Sequence, residues 1–251
     1  MTDTLDFHEL TEQHSIGKSV FLHLIPALIW FVFYFPLARI ASRNNIPTMF
    51  IMYLLAAFIL LPVELGYLLY RGKKKNKRLS LRGIILFKEK MPWWQYGSFG
   101  LLTVVWIVLV MFSFGSKLAD FFRVNVFSWV PDWFYLSRGT PEQNGAFIEI
   151  MMWAFGLVFI ALLGPLVEEL YFRGYLLPRL SRLGKWAPLL NVVLFISYHF
   201  WQPHFFLTGI ISMLPFVYFV WWKRNVYLGI GIHCFINTFG WIADLIRRLS
   251  S

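Results

Sequence analysis

The stretch LGPLVEELYFRGYLLPRL, residues 163–180, decides how this chain is read. It sets two adjacent carboxylates, Glu168 and Glu169, at the end of a long apolar run, with Arg173 one helical turn later. An ionisable group inside a membrane-type segment is costly, and where one occurs it marks function. Residues i and i+4 share a helix face, whereas i and i+1 do not. Glu169 is therefore expected to pair with Arg173, while the Glu168 carboxylate points elsewhere and stays free for chemistry. Pro165 cannot donate to the carbonyl of Ala161, so the helix is expected to kink or open one turn before the acids. The competing reading is an interfacial cap, two acids and an arginine snorkelling at the end of a membrane helix.

The composition around this stretch fits a membrane. At 58% hydrophobic and 20% aromatic, the 251 residues are far from a soluble average. The apolar runs are long enough to cross a bilayer of about 30 Å, which takes about 20 helical residues each. A single cysteine, Cys234, excludes an intrachain disulfide and a Cys-based metal cluster. The net charge of +10 brings no nucleic-acid motif with it. In a multi-pass membrane protein such an excess belongs in cytoplasmic loops and against anionic lipid.

Read in order, the chain gives an all-α transmembrane bundle of seven spans. Residues 1–18, with Asp3, Asp6, Glu9 and Glu12, form a polar tail without the basic start of a secretory signal. Spans are expected at 19–40, 48–70, 97–114, from 145 into Glu168 and Glu169, and at 188–201, 205–222 and 226–245. Glu64 in the second span reads as interhelical glue, since nothing near it in sequence completes a site. Residues 117–143 mix aromatics with scattered charges and read as an interfacial segment. Nine Lys and Arg residues crowd 71–90, and Arg179, Arg182 and Lys185 form a second basic loop. With a cytoplasmic N-terminus, sixteen of the 23 basic residues fall on the cytoplasmic side. Three regions follow: the tail 1–18, the N-terminal helices 19–144 and a C-terminal core 145–251.

Two more polar pairs stand inside apolar helices, Phe195 with His199 and His233 with Asn237, each spaced i, i+4 on one face. A lone membrane histidine is ordinarily an interhelical hydrogen bonder. Depth argues for more. Glu168 lies eleven residues before Arg179, His199 eleven after Pro188 and His233 nine after Arg224. At 1.5 Å per residue all three sit roughly 14–17 Å from the same side. Three titratable groups at one depth on three helices describe a site.

The order Glu-Glu-x-x-x-Arg (168–173), Phe-x-x-x-His (195–199), His-x-x-x-Asn (233–237) resembles the CPBP family. That family includes type II CAAX prenyl endopeptidases, bacteriocin-processing proteins and Abi-type proteins. The resemblance covers about residues 145–245, the family's four-helix core. It implies an intramembrane endopeptidase, in a bacterial cell membrane, with a cavity opening to the cytoplasm and a membrane-associated peptide or protein as substrate. Carried over, Glu168 and His199 would activate water, His233 and Asn237 would hold the oxyanion, and Glu169, Arg173 and Phe195 would support the site. That chemistry needs a base suited to the working pH and donors aimed at the developing oxyanion.

Other readings stay open. The chain could be a non-catalytic scaffold or immunity partner of the same fold, or a proton-carrying transporter using Glu64 and Glu168, although it lacks evident repeats. Glu168, His199 and His233 also make a two-histidine, one-glutamate zinc set. No His-Glu-x-x-His helix supplies closely spaced ligands with a separate base, so no metal cofactor is expected.

Overall fold

The computed structural model describes residues 11–250; Asp3, Asp6 and Glu9 of the expected tail lie outside the described residues. The chain forms an all-helical bundle. In order, the helices are α1 (Ile16–Arg43), α2 (Thr48–Asn76), α3 (Trp93–Asn125), α4 (Glu142–Leu183), α5 (Trp186–Tyr198), α6 (Pro203–Lys223) and α7 (Val226–Leu249). All but α5 are long and apolar enough to cross a membrane, and the protein is an integral, multi-pass membrane protein.

Side-chain caps start three of these helices where the sequence turns from polar to apolar. Ser15 Oγ accepts from Lys18 N (3.1 Å), Asn225 Oδ1 from Leu228 N (2.9 Å), and Thr140 with Gln143 forms a capping box. Each cap satisfies an amide that the helix itself cannot.

Three expectations need correction. The fifth span is only 13 residues long. At 1.5 Å per residue it rises about 20 Å, short of a full crossing. It ends inside the bundle at His199, where the chain turns towards α6. The segment after 117 does not leave the third helix: α3 continues to Asn125, and only 126–140 is irregular apart from a short 3-10 turn, Asp132–Phe134. Arg179 is not in a solvated loop. It is 5% exposed, its Nη1 donates to Tyr175 O (2.7 Å) and Ile84 O (3.3 Å), and its guanidinium lies 3.8 Å from the centre of the Tyr175 ring.

The interior is packed with aromatic side chains. Trp30 and Tyr34 stack at 4.3 Å, and Tyr34 Oη donates to Phe134 O (2.8 Å). The outside is apolar as well, with Val32, Leu101, Phe112 and Phe235 exposed. Such a surface suits lipid, where close packing and interhelical hydrogen bonds hold helices together.

The two ends of the bundle differ. At one end the 77–92 loop is stitched to two helices, Leu86 N donating to Gly174 O of α4 (3.0 Å) and Val226 N of α7 to Phe87 O (2.9 Å), and nearby His14 N donates to Arg179 O (2.9 Å). This is the basic end. At the other, Thr48 Oγ1 donates to Tyr135 O (2.9 Å), Arg138 pairs with Asp244 (2.6 Å), and Arg248 donates to Gly139 O (3.0 Å).

Candidate active site

The backbone of α4 prepares the site. Gly156–Leu163 is wound as a π-helix, and so is Glu169–Leu176. In that register an amide donates to the carbonyl five residues back, as Gly164 N does to Phe159 O. The next residue is Pro165, which has no N–H. The Ile160 carbonyl is therefore left without a helical donor, and Asn237 Nδ2 of α7 fills the vacancy at 3.0 Å. The opening expected at Pro165 is a change of helical register that ties α4 to α7.

Behind the site wall, Glu169 and Arg173 are fully buried and meet as expected, Oε1 to Nη1 at 3.1 Å. The Arg173 guanidinium also lies 3.8 Å from the centre of the Phe195 ring and faces Phe216 (5.5 Å). Its charge is balanced by one carboxylate and by ring faces, which attract a cation. Gly229 lets α7 approach this pair: a Cβ there would stand 2.6 Å from Glu169 Oε2.

Glu169 has a second role that its spacing to Arg173 did not disclose. Its Oε1 also lies 3.0 Å from His233 Nδ1. A carboxylate accepts, so Nδ1 carries the proton, and His233 Nε2 faces Glu168 Oε2 at 3.9 Å. His199 is fixed in the same way. Its Nδ1 donates to Phe195 O at 2.9 Å, since a carbonyl can only accept, and when the ring is neutral Nε2 is presented as an acceptor. Phe195 thus supports two groups, Arg173 with its ring and His199 with its carbonyl. Its ring also meets the His199 ring edge-on at 4.7 Å.

Glu168, His199, His233 and Asn237 all line one cavity of about 640 Å³. The sequence-predicted residues are thereby divided: these four reach the cavity, while Glu169, Arg173 and Phe195 stand behind it. Glu64 needs a correction. It is fully buried and accepts from Tyr198 Oη at 2.8 Å, so it does join helices. It also lies within electrostatic reach of Glu168 and Arg173, so it borders the site although nothing near it in sequence completes one. Its partner is 134 residues away in sequence, and no local pattern announces the pair.

Among the described residues no three His, Cys, Asp or Glu side chains converge as ligands for a metal ion. Asn237, the fourth polar group, is turned to a backbone carbonyl.

The cavity is closed on one side and open on the other. Between Glu168 and the basic end, Phe172, Arg173, Tyr175, Leu176 and Val226 are all fully buried. In the other direction the lining runs along α2, α4 and α7 to Met49, Arg138, Asp244 and Arg247. The mouth therefore lies opposite the basic loop.

Residues 150–239 match the family model described as type II CAAX prenyl endopeptidase Rce1-like. No curated protein and no solved structure gives a significant match. The matched segment contains all three motifs and every residue named above as lining the site from α4, α5 and α7 at the depth of Glu168. That segment, 90 of the 251 residues, is similar to the CAAX-type membrane endopeptidases.

Proposed function

We propose that the protein hydrolyses a peptide bond of a membrane-associated peptide or protein by a metal-independent, glutamate-driven mechanism. The observation that carries the reading is the meeting of Glu168, His199, His233 and Asn237 in one cavity, with both imidazoles held by their Nδ1 atoms. A water between Glu168 and His199 Nε2 would attack the scissile carbonyl and pass its proton to Glu168. Glu168 would then return that proton to the departing amine. The oxyanion would lie against His233 and Asn237. Because His233 Nδ1–H is committed to Glu169, Nε2 donates only when the ring is an imidazolium. Glu169 and Glu168, at 3.0 and 3.9 Å from the ring nitrogens, would supply the countercharge to such a ring. Asn237 keeps a second N–H beyond the one given to Ile160 O. Such preaimed donors are worth about 3–4 kcal/mol each in acyl-transfer sites.

On this reading the basic loop rests against anionic headgroups, and the substrate is held by the bilayer or beside it. The test compares membrane peptidomes of cells carrying the wild type and Glu168→Gln. Fragments present only with the wild type are expected. Identical peptidomes at equal protein levels would remove the peptidase reading.

A further inference from the structure

We infer that substrate enters this site from the extracytoplasmic face, through the mouth at Arg138, Asp244 and Arg247. Its substrates are then exported or membrane-held peptides cut on that side of the membrane.

The inference joins two observations, one of charge and one of shape. The end opposite the mouth carries Lys18, the nine bases of 71–90, and Arg182, Lys185, Lys223 and Arg224 in short connections or at helix ends. The mouth end carries Arg39, Arg43, Lys117, Arg123, Arg138, Arg247 and Arg248, interspersed with the acids Asp120, Asp132, Glu142, Glu149 and Asp244. A bias of Lys and Arg in short loops fixes the cytoplasmic side. The basic end is therefore cytoplasmic. Among the described residues no route from that end reaches Glu168, because the buried layer from Phe172 to Leu176 on α4, with Val226 and Leu228 of α7, fills the bundle beneath it. The cavity drains the other way.

The shape also limits what can enter. Asp244 is eleven residues beyond His233 on α7, about 16 Å along the axis at 1.5 Å per residue. An extended peptide covers that depth in about five residues at 3.3 Å each. Its path is walled by apolar side chains such as Met52, Leu60, Phe159 and Ile236. At the rim Arg138 is already paired with Asp244 (2.6 Å), yet its Nη1 is buried without a hydrogen-bond partner, and Arg247 is exposed beside it. An extended apolar run ending in a carboxylate suits that channel and that rim.

The identity of the substrate rests on the endopeptidase reading, whereas the side of access does not. Two measurements keep them apart. In a Cys234→Ala background, single cysteines are placed at Arg78 on the basic loop, at Asp132 on the other end, at Arg247 on the rim and at Ile236 inside the cavity. Each is treated with a membrane-impermeant maleimide in intact cells and in inside-out vesicles, after thermal melting has shown that the variant is folded. Asp132→Cys, Arg247→Cys and Ile236→Cys are expected to label in intact cells, and Arg78→Cys only in the vesicles. Arg247→Cys and Ile236→Cys labelling only in the vesicles would overturn the inference, whatever the enzyme cleaves. The second measurement maps the Glu168-dependent fragments. Their cut sites are expected on the extracytoplasmic side of the parent proteins' membrane anchors, and cut sites on the cytoplasmic side would overturn the substrate class. If no fragment depends on Glu168, the peptidase reading fails while the labelling still decides access.

Discussion

At the scale of single residues, neighbouring glutamates do different work because one peptide bond turns them by about 100° around the helix. Glu168 faces the cavity; Glu169 faces Arg173 and His233 inside the wall. That division follows from the i, i+4 rule and was legible in the sequence, as was the pairing with Arg173. The bond from Glu169 to His233 was not, because nothing in either motif says which carboxylate an imidazole 64 residues away will choose. The same holds for Asn237, whose partner carbonyl is exposed only by the π register before Pro165. Removing one member of a fully buried ion pair strands the other and costs about 3–5 kcal/mol. Arg173→Ala is therefore expected to lower the melting temperature measured in detergent, and Glu169→Gln to lower both melting temperature and activity. Unchanged melting of Arg173→Ala would show that the pair does not hold the wall in place.

At the scale of elements, most helix starts came out of the sequence, because long apolar runs mark them, whereas some ends did not: α3 runs on to Asn125 and α4 to Leu183. α5 did not, since its short apolar run reads like a crossing, and only its end at His199 shows that it stops halfway. The residues just ahead of α1 are packed against the bundle. Ahead of α1, His14 is buried, its amide donates to Arg179 O, and its ring meets Tyr175 edge-on at 5.7 Å. Burial, with the nearby charges of Lys18 and Arg179, depresses the His14 imidazole to about 4. The unfolded chain, with an ordinary histidine near 6.5, then binds the extra proton first. The sign follows from linkage: stability from this group is complete above about pH 6.5 and is lost as the pH falls towards 4. His14→Phe is expected to flatten the melting temperature between pH 7 and 4.5 relative to the wild type. An equal acid-induced drop in both proteins would free His14 of that role.

At the scale of the whole molecule, a bundle plugged on its basic side and open on the other surrounds a cavity lined by Glu168, His199, His233 and Asn237. Composition and spacing revealed the bundle and the depth of the site. Which way the cavity faces was expected only from the resemblance, as an opening to the cytoplasm, and neither composition nor spacing carries it, because it depends on which layer of side chains packs solid. Phe172, Tyr175 and Leu176 look no different in sequence from the lipid-facing Leu101 or Phe112. The central claim is that Glu168 drives peptide hydrolysis without a metal. The most direct measurement takes purified wild type and Glu168→Gln in detergent, exhaustively chelated, with metal content and melting temperature determined on the same samples. Each is given a Glu168-dependent peptide identified in cells. The expected result is undiminished cleavage by the chelated wild type and none by Glu168→Gln, with both proteins equally folded. Near wild-type cleavage by Glu168→Gln would contradict the claim, and so would activity lost on chelation and restored by stoichiometric zinc.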